Sequence, residues 1–226
     1  MLNIKFDNLT IYKDDAIWVV SKPAGISVTP EGWDKDQPCM HHLLRQNDPG
    51  LLIVHRLDKD TSGVMVFARN AEAHRNLSLQ FENHQVSKTY LALVYGVPQW
   101  KETTARHRLR IGVGKKHRTM VDHTHGLNAE TGFTVKETFS EYALLSAVPK
   151  TGRTHQIRVH LYAKGHPIVG DPLYGEGSTE MIDRVALHAS ELEFTHPTTG
   201  ILVRFECPLP EDFTTALKKI KKPAAE

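Results

Sequence analysis

The feature that most constrains this chain is a succession of short β-forming runs, each closed by turn residues, with helical stretches placed irregularly among them. Leu9–Tyr12 and Ala16–Val20 come first, divided by Lys13-Asp14-Asp15, and Lys22-Pro23-Ala24-Gly25 ends the second. Leu51–Val54 and Val64–Ala68 are apolar enough to be buried strands. Thr89–Tyr95 ends at Gly96-Val97-Pro98, Tyr142–Val148 runs into Pro149-Lys150-Thr151-Gly152, and Glu191–Thr195 pairs with Ile201–Phe205 as a hairpin. Helical signals are fewer. One lies around Met40–Gln46. A second follows Asn70, a residue suited to an N-cap, with Ala73, Leu77 and Phe81 recurring on one face. A third runs from Thr154 to a C-capping Gly165. Strands dominate without βαβα alternation, so the class is α+β.

A chain of 226 residues can form one large domain or two closely packed lobes. No repeat or long Gly/Ser/Pro linker divides it, so a single domain over 1–226 is expected, with its core at about 10–208 and a C-terminal segment 209–226. No run approaches the ~18 apolar residues of a membrane span. The start, MLNIKFDNLTIYKDD, lacks the basic-then-apolar pattern of a secretory signal. Cys39 and Cys207 are far apart and outside any CxxC spacing, as reduced core thiols of a cytoplasmic protein would be.

Charge is distributed unevenly. Between Lys101 and Met120, seven Lys/Arg (Lys101, Arg106, Arg108, Arg110, Lys115, Lys116, Arg118) face the single acid Glu102. That window carries +6 in a chain whose net charge is +2, either a polyanion footprint or a solvated loop. The second basic run, Lys218, Lys219, Lys221 and Lys222, reads as a solvated tail.

Two segments concentrate polar groups. In His55-Arg56-Leu57-Asp58-Lys59-Asp60-Thr61-Ser62-Gly63, Asp58 leaves an apolar strand end and enters a loop, where catalytic side chains are commonly presented. Taken alone, an aspartate among cations is ordinarily a surface pair worth at most ~1 kcal/mol. In Thr151-Gly152-Arg153-Thr154-His155-Gln156-Ile157-Arg158, an arginine near a helix start opposes the helix dipole and calls for phosphate or a buried carboxylate, unless it is a plain surface arginine. Tyr90 lies on a strand apolar on both faces, where tyrosine is ordinarily core. The fourteen histidines cluster at His41-His42 and at His117, His123 and His125, but form no HExxH or Cys/His ligand set. Ile111-Gly112-Val113-Gly114-Lys115-Lys116 lacks the spacing of a nucleoside-triphosphate loop.

In their order along the chain these segments resemble the RluA-type family of pseudouridine synthases. The signature HRLDxxTSG is complete from His55 to Gly63. The likeness extends to Lys22-Pro23-Ala24-Gly25, Lys88-x-Tyr90, Gly152-Arg153-Thr154-His155-Gln156-Ile157-Arg158, Gly165-His166-Pro167-Ile168, Gly170-Asp171-x-x-Tyr174-Gly175, Leu187-His188-Ala189 and His196-Pro197-x-Thr199-Gly200. It implies a mixed, mostly antiparallel central sheet with flanking helices and an active-site cleft. It implies that Asp58 is the essential aspartate, that Arg158 pairs with it, and that Tyr90 stacks on the target base and assists proton removal. Arg56 then enters the RNA stack when the uridine flips out, and Leu57, Lys88, Arg153 and His155 join it in binding substrate.

The reaction breaks the C1′–N1 bond of uridine, turns the base and rejoins it through C5. The target must leave the stack, at a cost of a few kcal/mol. An aspartate in a dry pocket needs a cation to stay charged, the role given to Arg158. Reactant and product are isomers, so no redox cofactor, ATP or metal is expected. RNA, ribosomal or transfer, is the expected partner of a cytoplasmic monomer.

Two departures concern RNA binding. Relatives often carry an S4-like module, whereas the catalytic pattern here begins near residue 10, which turns attention to the Lys101–Arg118 cluster. Where relatives have a GKxAxT loop, this chain reads Gly126-Leu127-Asn128-Ala129-Glu130-Thr131. A non-catalytic RNA-binding or ribosome-assembly factor, and a histidine-dependent metallohydrolase, are the competing readings.

Overall fold

The computed structural model describes residues 9–30, 37–114 and 118–221, so Lys115, Lys116, His117, Lys222 and the first eight residues lie outside the described residues. In chain order the elements are β1 (Thr10–Lys13), β2 (Ile17–Lys22), α1 (Met40–Arg45), β3 (Leu52–Ile53), β4 (Ser62–Ala68) and α2 (Ala71–Glu82). Then come β5 (Ser87–Tyr95), β6 (Glu102–Val113), β7 (Arg118–Val121), β8 (Leu127–Thr138) and β9 (Tyr142–Pro149). The last are α3 (Gln156–Ala163), β10 (Leu187–Thr195), β11 (Leu202–Glu206) and α4 (Glu211–Lys221). This is the expected α+β class with an almost wholly antiparallel sheet. No helix among the described residues is long and apolar enough to cross a membrane.

Two compact units are built from these elements. The first comprises the chain up to Lys88 together with Ala189–Pro208. Here β2 lies antiparallel between β1 and β4, with Val20 opposite Met65 and Lys22 opposite Gly63. β2 and β4 are buried almost throughout, which explains their near-continuous apolar sequences. Asp14 shapes the β1–β2 turn, its Oδ1 accepting from the amides of Ala16 and Ile17 at 2.8 Å. Asn70 caps α2 as expected, accepting from the Ala73 amide at 2.8 Å, and Ala73 and Leu77 are buried while Phe81 is partly so. The buried Gln80 pins this helix to β10, donating to the Thr195 carbonyl and accepting from its amide. Cys39 and Cys207 are both buried free thiols.

The second unit comprises Thr89–His188 with residues from Leu209 onward. Its strands follow the order β5-β9-β8-β6-β7, each pair antiparallel. Leu93, Val94, Leu145, Phe133, Ile157, Leu161 and Phe213 share its core. β6 and β7 occupy the ground of the basic window, which the sequence left as either a polyanion footprint or a solvated loop. β6 alternates Ala105 and Leu109 inward with Arg106, Arg108 and Arg110 outward, and β8 takes up most of the Gly126–Thr131 element. The C-terminal basic run is likewise not a loose tail through Lys221, because α4 buries Phe213 and Ala216. α3 starts at Gln156 rather than Thr154, and Gly165 follows its C-cap at φ +78°.

Candidate active site

Asp58 sits half-buried between β3 and β4, and its carbonyl accepts the Thr61 amide at 3.1 Å to form a tight turn. Lys22, fully buried at the end of β2, donates to the Lys59 carbonyl at 2.9 Å and to its neighbour Pro23 at 2.8 Å. The Gly25 amide reaches the same Lys59 carbonyl at 3.0 Å. The Lys22-Pro23-Ala24-Gly25 element thus holds the Asp58 loop by its backbone. At the loop's far end Gly63 has φ +123°, and a Cβ there would fall 2.1 Å from the Ala189 carbonyl oxygen. No other residue fits so close an approach.

His55 fixes the near end. Its Nε2 accepts the Val66 amide at 3.1 Å, and its ring stacks on Phe81 with centroids 4.5 Å apart. Burial, aided by the nearby Lys88 charge, pushes its pKa down to about 3, so it is a neutral acceptor. Lys88 Nζ lies 5.9 Å from the same Phe81 ring, and burial lowers its pKa too. Of the neighbours of Asp58, Leu57 is buried and Arg56 is exposed to solvent. The first unit therefore gathers Arg56, Leu57 and Asp58 on one braced loop, with Lys88 beside its base.

Tyr90, Arg153, His155 and Arg158 belong to the second unit. Tyr90 is opposite Ala147 on β5 and partly buried against the core. Arg158 is only 5% exposed, because α3 is buried from Gln156 to Leu161. Its guanidinium forks onto Asp171, Nε to Oδ2 at 2.7 Å and Nη2 to Oδ1 at 2.8 Å. Among the alternatives the sequence left for Arg158, a buried carboxylate is thus in place. Asp171 Oδ1 also accepts the amides of Leu173 and Tyr174, which folds the chain around the pair.

Tyr174 completes this cluster. The Arg158 guanidinium lies 5.2 Å from its ring centroid. Its hydroxyl accepts the Thr119 amide at 2.8 Å, meets the Thr119 carbonyl at 3.0 Å and lies 3.1 Å from His155 Nδ1. His155 caps α3 in the left-handed region at φ 55°, a conformation that costs a non-glycine residue on the order of 1 kcal/mol. Arg153 is tied to the same helix start, its amide donating to Gln156 Oε1 at 3.1 Å. Its Nε reaches the Asn128 carbonyl at 3.4 Å. His155, Arg158, Asp171 and Tyr174 are thus one assembly.

Sequence reasoning assigned no role to Lys22, Asp171 or Tyr174, although each lies in a motif it singled out. A lysine closing an apolar strand was the available signal for Lys22. The histidine clusters serve other ends: His41 Nε2 lies 2.9 Å from the Leu51 carbonyl, and His125 lies 3.7 Å from Asp122. Among the described residues no group of three His, Cys, Asp or Glu is placed to hold a metal ion.

Comparison with known proteins places this geometry. The pattern defining the family described as RNA pseudouridylate synthase matches residues 16–163. An uncharacterized RNA pseudouridine synthase of Bacillus subtilis is 39% identical over 222 residues, covering 93% of this chain and 72% of the relative. The ribosomal large subunit pseudouridine synthase D of Pseudomonas aeruginosa is 39% identical over 230 residues, covering 94% of this chain and 71% of that one. Among solved structures, human RNA pseudouridylate synthase domain containing 1 superposes with a TM-score of 0.77 at 31% identity, over 93% of this chain and 87% of its own.

Proposed function

The chain belongs to the RNA pseudouridylate synthase family and is an RNA pseudouridine synthase, an isomerase; from that premise we propose that it modifies ribosomal RNA, with Asp58 as its catalytic carboxylate. The observation that carries the reading is the bracing of the Asp58 loop by Lys22, Gly25 and His55, with Gly63 packed against Ala189. Side chains that act on a flipped base must be held within a fraction of an ångström, and loops gain such precision only from their supports. A protein that merely binds RNA has no use for that bracing, which disfavours the non-catalytic alternative. Residues 1–226 act as one catalytic domain, monomeric and cytoplasmic.

In this reading the target uridine leaves the stack, Arg56 fills the gap it leaves, and Leu57, Lys88, Arg153 and His155 grip the flipped nucleotide. Tyr90 offers its ring to the base. The Asp58 carboxylate has three competent routes: attack on C1′, attack on the base, or removal of the 2′ proton. Each ends with C5 bonded to C1′ and the C5 proton lost, a step a phenol such as Tyr90 can assist. Arg158, held by Asp171, supplies positive charge without a titratable proton.

Ribosomal RNA is supported by the names of the relatives from Pseudomonas aeruginosa and Nitrosomonas europaea, both ribosomal large subunit pseudouridine synthases. The purified chain should isomerise uridine in ribosomal RNA transcripts and not in transfer RNA, read as carbodiimide-resistant stops in reverse transcription. Asp58→Asn should lower turnover by about a thousandfold or more while leaving the fold intact. Full turnover in that variant would remove the carboxylate from the mechanism. Modification of transfer RNA alone would overturn the substrate.

A further inference from the structure

β6 turns its even-numbered side chains outward, so Arg106, Arg108 and Arg110 form a row on one exposed face of the second unit. Residues two apart on a strand are separated by about 6.8 Å, so the row spans about 14 Å. Cross-strand neighbours extend the face, with Asn128 opposite Arg108, Glu130 opposite Arg106, and Met120 opposite Arg110. Lys150 joins it through Glu130 at 2.9 Å, and Arg153 borders it at the Asn128 carbonyl. Two carboxylates lie among these five cations. Glu130 is shared by Arg106 and Lys150, and Asp122 lies 3.6 Å from Arg110. Arg108 gives its hydrogen bonds to the carbonyls of Gly126 and His123, which orient its guanidinium without neutralising it. Glu102 stands at the opposite end of the strand, away from Arg110.

The local ion pairs do not account for this row, because exposed pairs of this kind contribute ~1 kcal/mol or less to stability. Positive charge in a line with hydrogen-bond donors suits the phosphate backbone of an RNA helix, which is bound by shape and charge rather than sequence.

We propose that the outer face of β6 and β8, centred on Arg108, binds the phosphate backbone of RNA beyond the target uridine and sets how tightly substrate is held. The inference rests on RNA being the substrate and adds a second contact surface remote in sequence from the Asp58 loop.

The test is a full-length chain carrying Arg106→Gln, Arg108→Gln and Arg110→Gln, titrated with a ribosomal RNA stem-loop at several salt concentrations. Each lost phosphate contact reduces the slope of log affinity against log salt by roughly 0.7–0.9, so the slope should become shallower by about 2. Affinity at low salt should fall at least tenfold, and in turnover the loss should appear in KM rather than kcat. Glu130→Gln supplies an opposite readout that misfolding cannot imitate, because removing the shared carboxylate should tighten binding and steepen the slope. An unchanged salt slope in the triple variant would overturn the proposal, and so would weaker binding in Glu130→Gln. Failure of the wild-type chain to isomerise any ribosomal uridine would count against the proposed substrate instead, since the binding measurements stand without turnover.

Discussion

Arg158 and Asp171 bury opposite charges with side-chain exposures of 6% and 0%, joined by two parallel hydrogen bonds. Such a pair adds little net stability over apolar residues of like volume, yet removing one member is expensive because the other stays desolvated. Asp171→Ala should therefore destabilise the protein by about 3–5 kcal/mol. It also strips the Leu173 and Tyr174 amides of their acceptor. Replacing both partners together, Asp171→Leu with Arg158→Met, should cost much less than the two single changes summed. Urea unfolding of the four proteins gives the coupling directly. Additive losses would mean that the fork contributes nothing as a pair. The pair also holds the guanidinium in one place and thereby fixes a positive charge on the helix that carries it.

Elements differ in how plainly their sequences announce them. The α2 cap is a single local interaction, Asn70 Oδ1 to the Ala73 amide, with Asn70 Nδ2 also reaching the Asp15 carbonyl at 3.2 Å. Asn70→Ala should cost about 1 kcal/mol, or roughly 2–4 °C in melting temperature for a chain of this size, and Asn70→Ser should recover most of it. A thermal melt of the three proteins checks this, and equal melting temperatures would deny the cap its role. β2 and β4 were legible as short continuous apolar runs closed by turns, and α2 because its apolar residues repeat at the helical period. β6 and β8 were not. Of the inward residues of β6, Thr103, Ala105, His107 and Leu109, only Leu109 is large and apolar, so the outward arginines dominate the impression. α4 was obscured by its three lysines, although Phe213 and Ala216 mark its buried side. Asp58, Tyr90 and Arg158 were singled out through motif order. Their supports were not, because the bonds of Lys22 to Lys59 and of Arg158 to Asp171 join residues 37 and 13 positions apart, which no local pattern reveals.

At the scale of the whole molecule, each compact unit holds an imidazole whose pKa burial pushes far down. His55 in the first accepts the Val66 amide and has its pKa pushed down to about 3 by burial and by Lys88. His160 in the second is pushed down to about 4 by burial, by His107 and by Lys164. The Thr131 hydroxyl accepts from Gln156 Nε2 at 2.9 Å and lies 2.9 Å from His160 Nδ1. In the unfolded chain both groups titrate near their ordinary 6.5. Between pH 6.5 and about 4 the unfolded state therefore binds two protons that the folded state refuses, and stability falls as pH falls. The loss by pH 5 is about 2 kcal/mol for each imidazole, several degrees in melting temperature. Carboxylates add to acid denaturation only lower down. Asp122, held below its usual value by the His125 and Thr124 amides, and Glu130, held down by Arg106 and Lys150, begin from 3.8 and 4.5. The pH 7 to 5 window thus isolates the histidines. Gln can replace either ring as a neutral hydrogen-bonding group, so His160→Gln should flatten the dependence of melting temperature on pH by about half, and His55→Gln with His160→Gln should remove most of it. A wild-type melting temperature that stayed level from pH 7 to 5 would show that both imidazoles accept protons freely in the folded chain, and that neither buried hydrogen bond depends on neutrality.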